Sequence, residues 1–161
     1  MPNNFAPISE ELAAAIQGPV GIVVSTCDAR LQASVAFALG CRVWPDRKRV
    51  SVMLCPSQAA TLIADIEATG RVAVNFSRPS NNRSAQLKGS DAHIEPPRAL
   101  DFACVAKHTQ DFIDELLPMR EMSEAALRAI FHHAPDDLVV ISFSPEAAFS
   151  QTPGPGAGAP I

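Results

Sequence analysis

The stretch from Arg71 to Ile94, RVAVNFSRPSNNRSAQLKGSDAHI, decides how the rest of the chain is read. Val72, Val74 and Phe76 point one way and Ala73, Asn75 and Ser77 the other, which is the period of two of a half-buried strand. Pro79, Ser80, Asn81 and Asn82 are turn formers. Arg83-Ser84-Ala85-Gln86-Leu87-Lys88-Gly89 then reads as the returning strand, carrying two cations and two hydrogen-bonding side chains. Gly89 marks a place where that strand bulges or another group approaches its backbone. The pattern fits a solvated β-hairpin and equally one wall of a binding site.

Upstream of the hairpin the chain alternates short apolar runs with turns. Ser9 is placed to cap a short helix with Leu12 and Ile16 on its apolar edge, stopped at Gly18-Pro19. Val20 to Thr26 is an apolar, β-branched run that predicts a buried strand. From about Gln32 to Val43 a second strand is predicted. Val35, Phe37, Leu39, Cys41 and Val43 lie on one face, and Ser34, Ala36, Ala38 and Gly40 on the other. A face made only of small residues suits either a closely packed neighbour or a flat ligand. Trp44 to Arg47 forms a turn, and Arg49 to Cys55 returns as a third strand. Pro56-Ser57-Gln58 opens a helix to about Ala68, with Ser57 as N-cap, Leu62, Ile63 and Ile66 as core stripe, and Gly70 as terminator. A helix start of this kind offers N–H groups to a phosphate.

Downstream, Pro96-Pro97 introduces a helix to about Leu117, with Leu100, Cys104, Val105, His108, Phe112, Ile113 and Leu116 at helical spacing. His108 reads as a core or edge histidine of that stripe. Ser123 caps another helix, with Leu127, Ile130 and Phe131 inward and His132-His133 in its last turn. Leu138 to Phe143 is a last buried strand. The Pro- and Gly-rich tail QTPGPGAGAPI cannot be a regular helix or central strand, so it crosses a surface or is disordered. The expected fold class is therefore α+β, mainly β. Six antiparallel strands curl into a barrel with flanking helices, as one domain over 1–150 followed by the tail 151–161.

Composition narrows the function classes. A chain of 161 residues is long enough for a core, and its net charge of -4 with a pI near 5.5 argues against a large nucleic-acid surface. The lysines are Lys48, Lys88 and Lys107, too scattered for a polybasic membrane patch. No apolar run approaches the roughly twenty residues of a membrane span. The start MPNNFAPISEEL lacks a secretory pattern, so a cytoplasmic location is expected. Cys27, Cys41, Cys55 and Cys104 form no C-x-x-C pair, so no metal site is expected and the thiols read as structural. G-x-G-x-x-G, G-K-[ST] and G-x-S-x-G are absent, and the carboxylates show no acid/base pairing, so no catalytic side chain is assigned.

With its order of elements and the segments SVAFALG, PSQAATLIADI, GRVAVNF and RSAQLKG, the chain resembles the pyridoxamine 5'-phosphate oxidase-like FMN-binding split barrels, over roughly Leu12 to Phe149. The resemblance implies a six-stranded split barrel that forms a homodimer and holds FMN at the dimer interface. It implies that Ser34, Val35, Ala36 and Phe37 border the isoalloxazine. Ser57 and Gln58 would lie near the phosphate, with Arg83, Ser84, Gln86 and Lys88 contributing from the hairpin. Two departures matter. Gln58 and Ala59 stand where the oxidase branch carries a basic pair. The tail also lacks that branch's Trp- and Arg-bearing segment. The implied function is thus an FMN-binding oxidoreductase of flavin reductase-like type acting on a small-molecule redox substrate other than pyridoxamine phosphate. The alternative is a non-catalytic flavin- or haem-binding protein for storage or sensing. Other branches bind a deazaflavin or haem, and for haem His132 or His133 would be the first ligand candidate. Arg83 and Lys88 are an odd number of residues apart, so only one of them faces the pocket from a regular strand, and Arg83 is the expected phosphate partner because it sits at the turn end and its planar fork suits phosphate oxygens.

Overall fold

The structure, a computed structural model, describes residues 6 to 161. In chain order it contains α1 (Glu10–Ile16), β1 (Gly21–Cys27), β2 (Ala33–Ala38), β3 (Gly40–Val43), β4 (Val50–Leu54), α2 (Ala60–Thr69) and β5 (Val72–Ser77). These are followed by β6 (Ser84–Gly89), β7 (His93–Glu95), α3 (Ala99–Leu116), α4 (Glu124–Ile130), β8 (Val139–Phe143) and β9 (Ala147–Ser150). The strands form two antiparallel sheets, in the orders β2-β1-β5-β6-β9 and β3-β4-β8-β7. The fold is α+β and mainly β. The β5–β6 hairpin sits within the first sheet, in register from Val72 opposite Gly89 to Ser77 opposite Ser84.

Among the described residues nine strands replace the expected six, for a local reason. The run predicted as one strand from Gln32 to Val43 breaks at Leu39, whose N–H donates to the Met53 carbonyl (2.7 Å). The chain there leaves the first sheet and joins the second. Gly40 permits the bend, since a Cβ at that position would stand 3.4 Å from the Val105 Cα on α3. The stretches 84–95 and 139–150 likewise supply a strand to each sheet, β6 then β7, and β8 then β9. The C-terminal tail lies along the edge of β9, with Pro160 opposite Phe149 and the Ile161 N–H donating to the Ala148 carbonyl (3.0 Å).

Helix ends are partly as expected. Ser9 caps α1 by accepting the Leu12 N–H (3.1 Å), and Gly70 ends α2 in the left-handed region (φ 67°). Ser57 does not cap α2. It lies in a 3₁₀ turn, Pro56–Gln58, and the helix begins at Ala60 with Ala59 at the N-cap and no side-chain cap. The α4 helix stops at Ile130, so His132 and His133 lie beyond its last turn, and Ile130 is 55% exposed rather than inward. Leu100, read as part of the α3 stripe, is also exposed.

The main core lies between the two sheets. Ile22, Val24, Val74, Phe76 and Leu87 meet Val52, Leu54, Ile141 and Phe143, with Ile16 of α1 and Leu62 and Ile66 of α2 closing it. A second cluster places Val105 of α3 against Leu39, Met53 and Val140 on the other side of the second sheet. The second sheet is thus covered on both faces and β4 is buried at every position. In the first sheet β1 and β5 alternate buried and half-buried, and one face is left without a packed layer of this kind. Among the described residues no helix is long and apolar enough to cross a membrane.

Candidate functional site

The uncovered face of the first sheet brings together residues from five strands. Register sets Phe37, Val23, Asn75, Gln86 and Phe149 side by side in one row. The neighbouring row is Val35, Ser25, Ala73, Lys88 and Ala147. Val35 and Phe37 are 59% and 74% exposed, a cost that a covering group would remove. Lys88 holds its ammonium 5.1 Å from the Phe149 ring centroid. Between these walls lies a floor of short side chains, Ser25, Ala73, Val23 and Asn75. Its span from Val35 to Lys88 is three strand spacings, about 14 Å.

This floor corrects one expectation. The small-residue face of the Ser34–Gly40 run looked able to receive a flat ligand, but Ala36 and Ala38 belong to the core, where they allow close packing. Ser34 turns to α2 and donates to Asp65 (2.7 Å). The open small-residue surface is on β1 and β5 instead. Its signal in the sequence was the Ala73, Asn75, Ser77 alternation together with Val23 and Ser25, but only the register joins the two strands.

The ten candidate residues therefore do not form one cluster. Val35, Phe37, Gln86 and Lys88 share the open face. Ser84 is at its end, with its Oγ 2.6 Å from that of Ser77 and its N–H donating to Thr152 (3.0 Å). Ser34 and Ala36 face inward. Arg83 turns to α1 and pairs with Glu11 (3.1 Å), both side chains well exposed. At the 3₁₀ turn the Ser57 N–H donates to Asp137 (3.0 Å) and its hydroxyl donates to the same carboxylate, while Gln58 stays exposed. That hydroxyl, followed by the backbone N–H, holds the Asp137 carboxyl below the usual carboxylate range. The groups expected to receive a phosphate thus already hold a carboxylate of this chain.

Two cavities adjoin these elements, and they differ in charge. The first, about 350 Å³, lies between α1 and the hairpin and is rimmed by Arg78, Arg83 and Glu11. Arg78 is engaged by Glu115 through both guanidinium arms (3.0 and 3.1 Å), which lowers the Glu115 pKa and raises that of Arg78. The second, about 220 Å³, opens beside Phe37 under α3 and the segment after α4, against Phe112, Phe131 and His108. Burial pushes the thiols of Cys41, Cys55 and Cys104 above the usual value, and the Cys104 thiol donates to the Cys41 carbonyl (3.1 Å). These are features of packed rather than reactive thiols.

No protein-family model matches the sequence, and no curated protein matches it. Solved structures do match. HupZ of Group A Streptococcus is 18% identical, with 94% of this chain and 99% of that one covered and a TM-score of 0.55. An F420 reductase is 17% identical, with 88% and 98% covered and a TM-score of 0.55. A pyridoxamine 5'-phosphate oxidase-related, FMN binding protein from Nostoc punctiforme is 12% identical, with 95% and 89% covered and a TM-score of 0.53. The chain has the pyridoxamine 5'-phosphate oxidase-like fold. For HupZ and the Nostoc punctiforme protein the likeness runs over most of each chain. Identity below a fifth shows the fold and leaves the site to be argued from its own residues.

Proposed function

We propose that this chain is an FMN-binding oxidoreductase, a split barrel of six bent strand runs, and that the open face of its first sheet is half of the flavin site. The observation that carries this reading is that face: exposed Val35 and Phe37, a floor of small side chains, free amides at Asn75 and Gln86, and one cation, Lys88. The residues fit the group in three respects. An isoalloxazine is flat and apolar on its faces, which suits the floor and the Phe37 and Val35 wall. Its edge carries donors and acceptors, which suits two amides that make no side-chain hydrogen bond among the described residues. The phosphate at the end of the FMN ribityl chain needs a cation, and Lys88 has no carboxylate partner among the described residues.

A bound flavin supplies the redox chemistry, so no acid or base of the protein is required by it. Phe37 and Val35 exclude water from one side, Asn75 and Gln86 orient the ring edge, and Lys88 offsets the phosphate charge. Such a face is half a site, and a homodimer in which a second copy covers it completes the enclosure. The absence of the oxidase branch's basic pair, at Gln58 and Ala59, together with the Asp137 carboxylate at Ser57, argues for a substrate other than pyridoxamine phosphate. That substrate is a small molecule that exchanges electrons with the flavin.

The test is an absorbance spectrum of freshly purified protein with light scattering on the same sample. A flavin band near ~450 nm and a dimer mass are expected. A Soret band, or a monomer at micromolar concentration, contradicts the reading.

A further inference from the structure

The first cavity carries an inference that does not depend on flavin binding. It lies on the inner side of the first sheet, where register sets Phe76, Ala85 and Ser150 in one row, one residue out of step with the open-face row of Asn75, Gln86 and Phe149. None of Val23, Val35, Phe37, Asn75, Gln86 and Lys88 lines it. Its floor is apolar, with Leu12 and Val20 beside Phe76, and its charged lining residues are Arg78, Arg83 and Glu11. Glu115 holds Arg78 in place through Nε and one terminal nitrogen, which leaves the other terminal nitrogen unengaged among the described residues. Arg83 touches Glu11 through a single terminal nitrogen (3.1 Å), and both side chains are well exposed, so this pair adds little stability and can exchange for other partners.

We infer that this cavity binds a free apolar α-amino acid, with its side chain on the floor and its two charged groups at the rim. Both signs of charge are needed because the rim carries both. A simple carboxylate would meet Arg83 but lie against the Glu11 carboxylate. A simple ammonium would meet Glu11 but lie against the guanidinium groups. Glu11 and Arg83 are in contact, so the matching charges of the ligand must also be adjacent, as the ammonium and carboxylate of an α-amino acid are. The carboxylate takes N–H groups of Arg83 that Glu11 leaves unused, with Arg78 on the same rim, and the ammonium takes Glu11. The apolar side chain follows from Leu12, Val20 and Phe76, which offer a polar one nothing to bond. Size limits the ligand to a single residue, since about 350 Å³ stands near the lower end of small-molecule pockets, roughly 300–1,000 Å³.

The probe is L-phenylalanine, titrated calorimetrically into the full chain. The comparison ligands are 3-phenylpropionate, which lacks the ammonium, 2-phenylethylamine, which lacks the carboxylate, and glycine, which lacks the side chain. Saturable binding of one L-phenylalanine per chain is expected, with each comparison ligand about tenfold weaker or more. Arg83→Ala and Glu11→Gln alter exposed side chains and leave the core untouched. Arg83→Ala is expected to weaken L-phenylalanine about tenfold, and Glu11→Gln about threefold or more without weakening 3-phenylpropionate. Ala15→Phe puts a ring into the cavity from an exposed lining position and is expected to abolish binding. Ala64→Phe, at an exposed position of α2 outside the cavity, is expected to change nothing. The proposal is overturned if any comparison ligand binds as tightly as L-phenylalanine, or if Arg83→Ala binds like the parent chain. It is equally overturned if Glu11→Gln weakens 3-phenylpropionate as much as L-phenylalanine, if Ala15→Phe and Ala64→Phe behave alike, or if binding does not saturate.

Discussion

The two sheets are built from similar residues, yet they stand in different surroundings. In the second sheet, β4 is buried at all of its positions, because the core covers one face while α3 and Trp44 cover the other. The polar side chains on that outer side are all engaged. Ser51 accepts the Trp44 indole N–H (3.0 Å) and lies 3.3 Å from Ser142, Arg42 pairs with Asp101 (2.9 Å), and Arg42 and Arg49 sit over the Trp44 ring. In the first sheet the equivalent side holds Val35 and Phe37 in the open and leaves Asn75 and Gln86 without side-chain bonds among the described residues. A fold that satisfies one outer face and not the other has placed its unmet contacts where a ligand or partner supplies them. On the proposed reading the first sheet is the functional one and the second the structural one, and single substitutions can break that contrast.

The largest effect is expected in the covered sheet. Met53 is fully buried between Leu39, Val105 and Val140, so Met53→Ala should lose about 3–4 kcal/mol in urea unfolding. Phe37→Ala, a larger truncation on the open face, should change the stability of the isolated chain by less than about 0.5 kcal/mol. Equal losses would erase the distinction between the sheets.

Charge pairs repeat the contrast at smaller size. Arg42→Ala leaves Asp101, 2% exposed, without its guanidinium. The expected loss is about 3 kcal/mol, the low end for breaking a buried pair, since Asp101 keeps the Arg98 N–H at 2.9 Å. Arg83→Ala breaks a pair whose members are 69% and 81% exposed, and an unfolding shift within about 1 kcal/mol is expected.

Much of the fold was legible in the sequence because its signals are local. Ser9, the Val20–Thr26 run, the β5–β6 hairpin and Gly70 each act through neighbours a few residues away. The break at Leu39 was not legible, since it depends on Val105 packing against Gly40 from a helix sixty residues on, by roughly that separation in the chain. The short strands β7 and β9 were missed because three or four residues hold too little alternation to register. Ser57 failed as a cap because its partner, Asp137, is 80 residues away. At the proposed site, Gln86 and Lys88 were legible as a hydrogen-bonding group and a cation of the hairpin, while Phe37 entered only through the family resemblance. The floor of Ser25 and Ala73 was not legible, because it exists only in the cross-strand register.

A smaller effect separates the cavity under α3 from the rest of the surface. Burial depresses the His108 pKa below its ordinary 6.5, so the folded chain takes up that proton less readily than the unfolded one. The associated stability is present above the ordinary value and falls as pH drops through it. Urea midpoints at about pH 7.5 and pH 5.5 should therefore fall less on acidification in His108→Phe than in the parent chain. An identical fall in both would show that the ring is not held neutral by burial.

The placement of the hairpin cations tests the central claim most directly. Lys88 stands on the open face and Arg83 on the α1 side, so the proposed site favours Lys88 where the sequence favoured Arg83. FMN should be titrated into flavin-free wild type, Lys88→Ala and Arg83→Ala, following flavin fluorescence. If the open face of the first sheet holds the flavin, wild type binds, Lys88→Ala binds roughly tenfold more weakly, and Arg83→Ala stays within about twofold. Loss of affinity in Arg83→Ala with Lys88→Ala unchanged, or no binding by wild type, would contradict it.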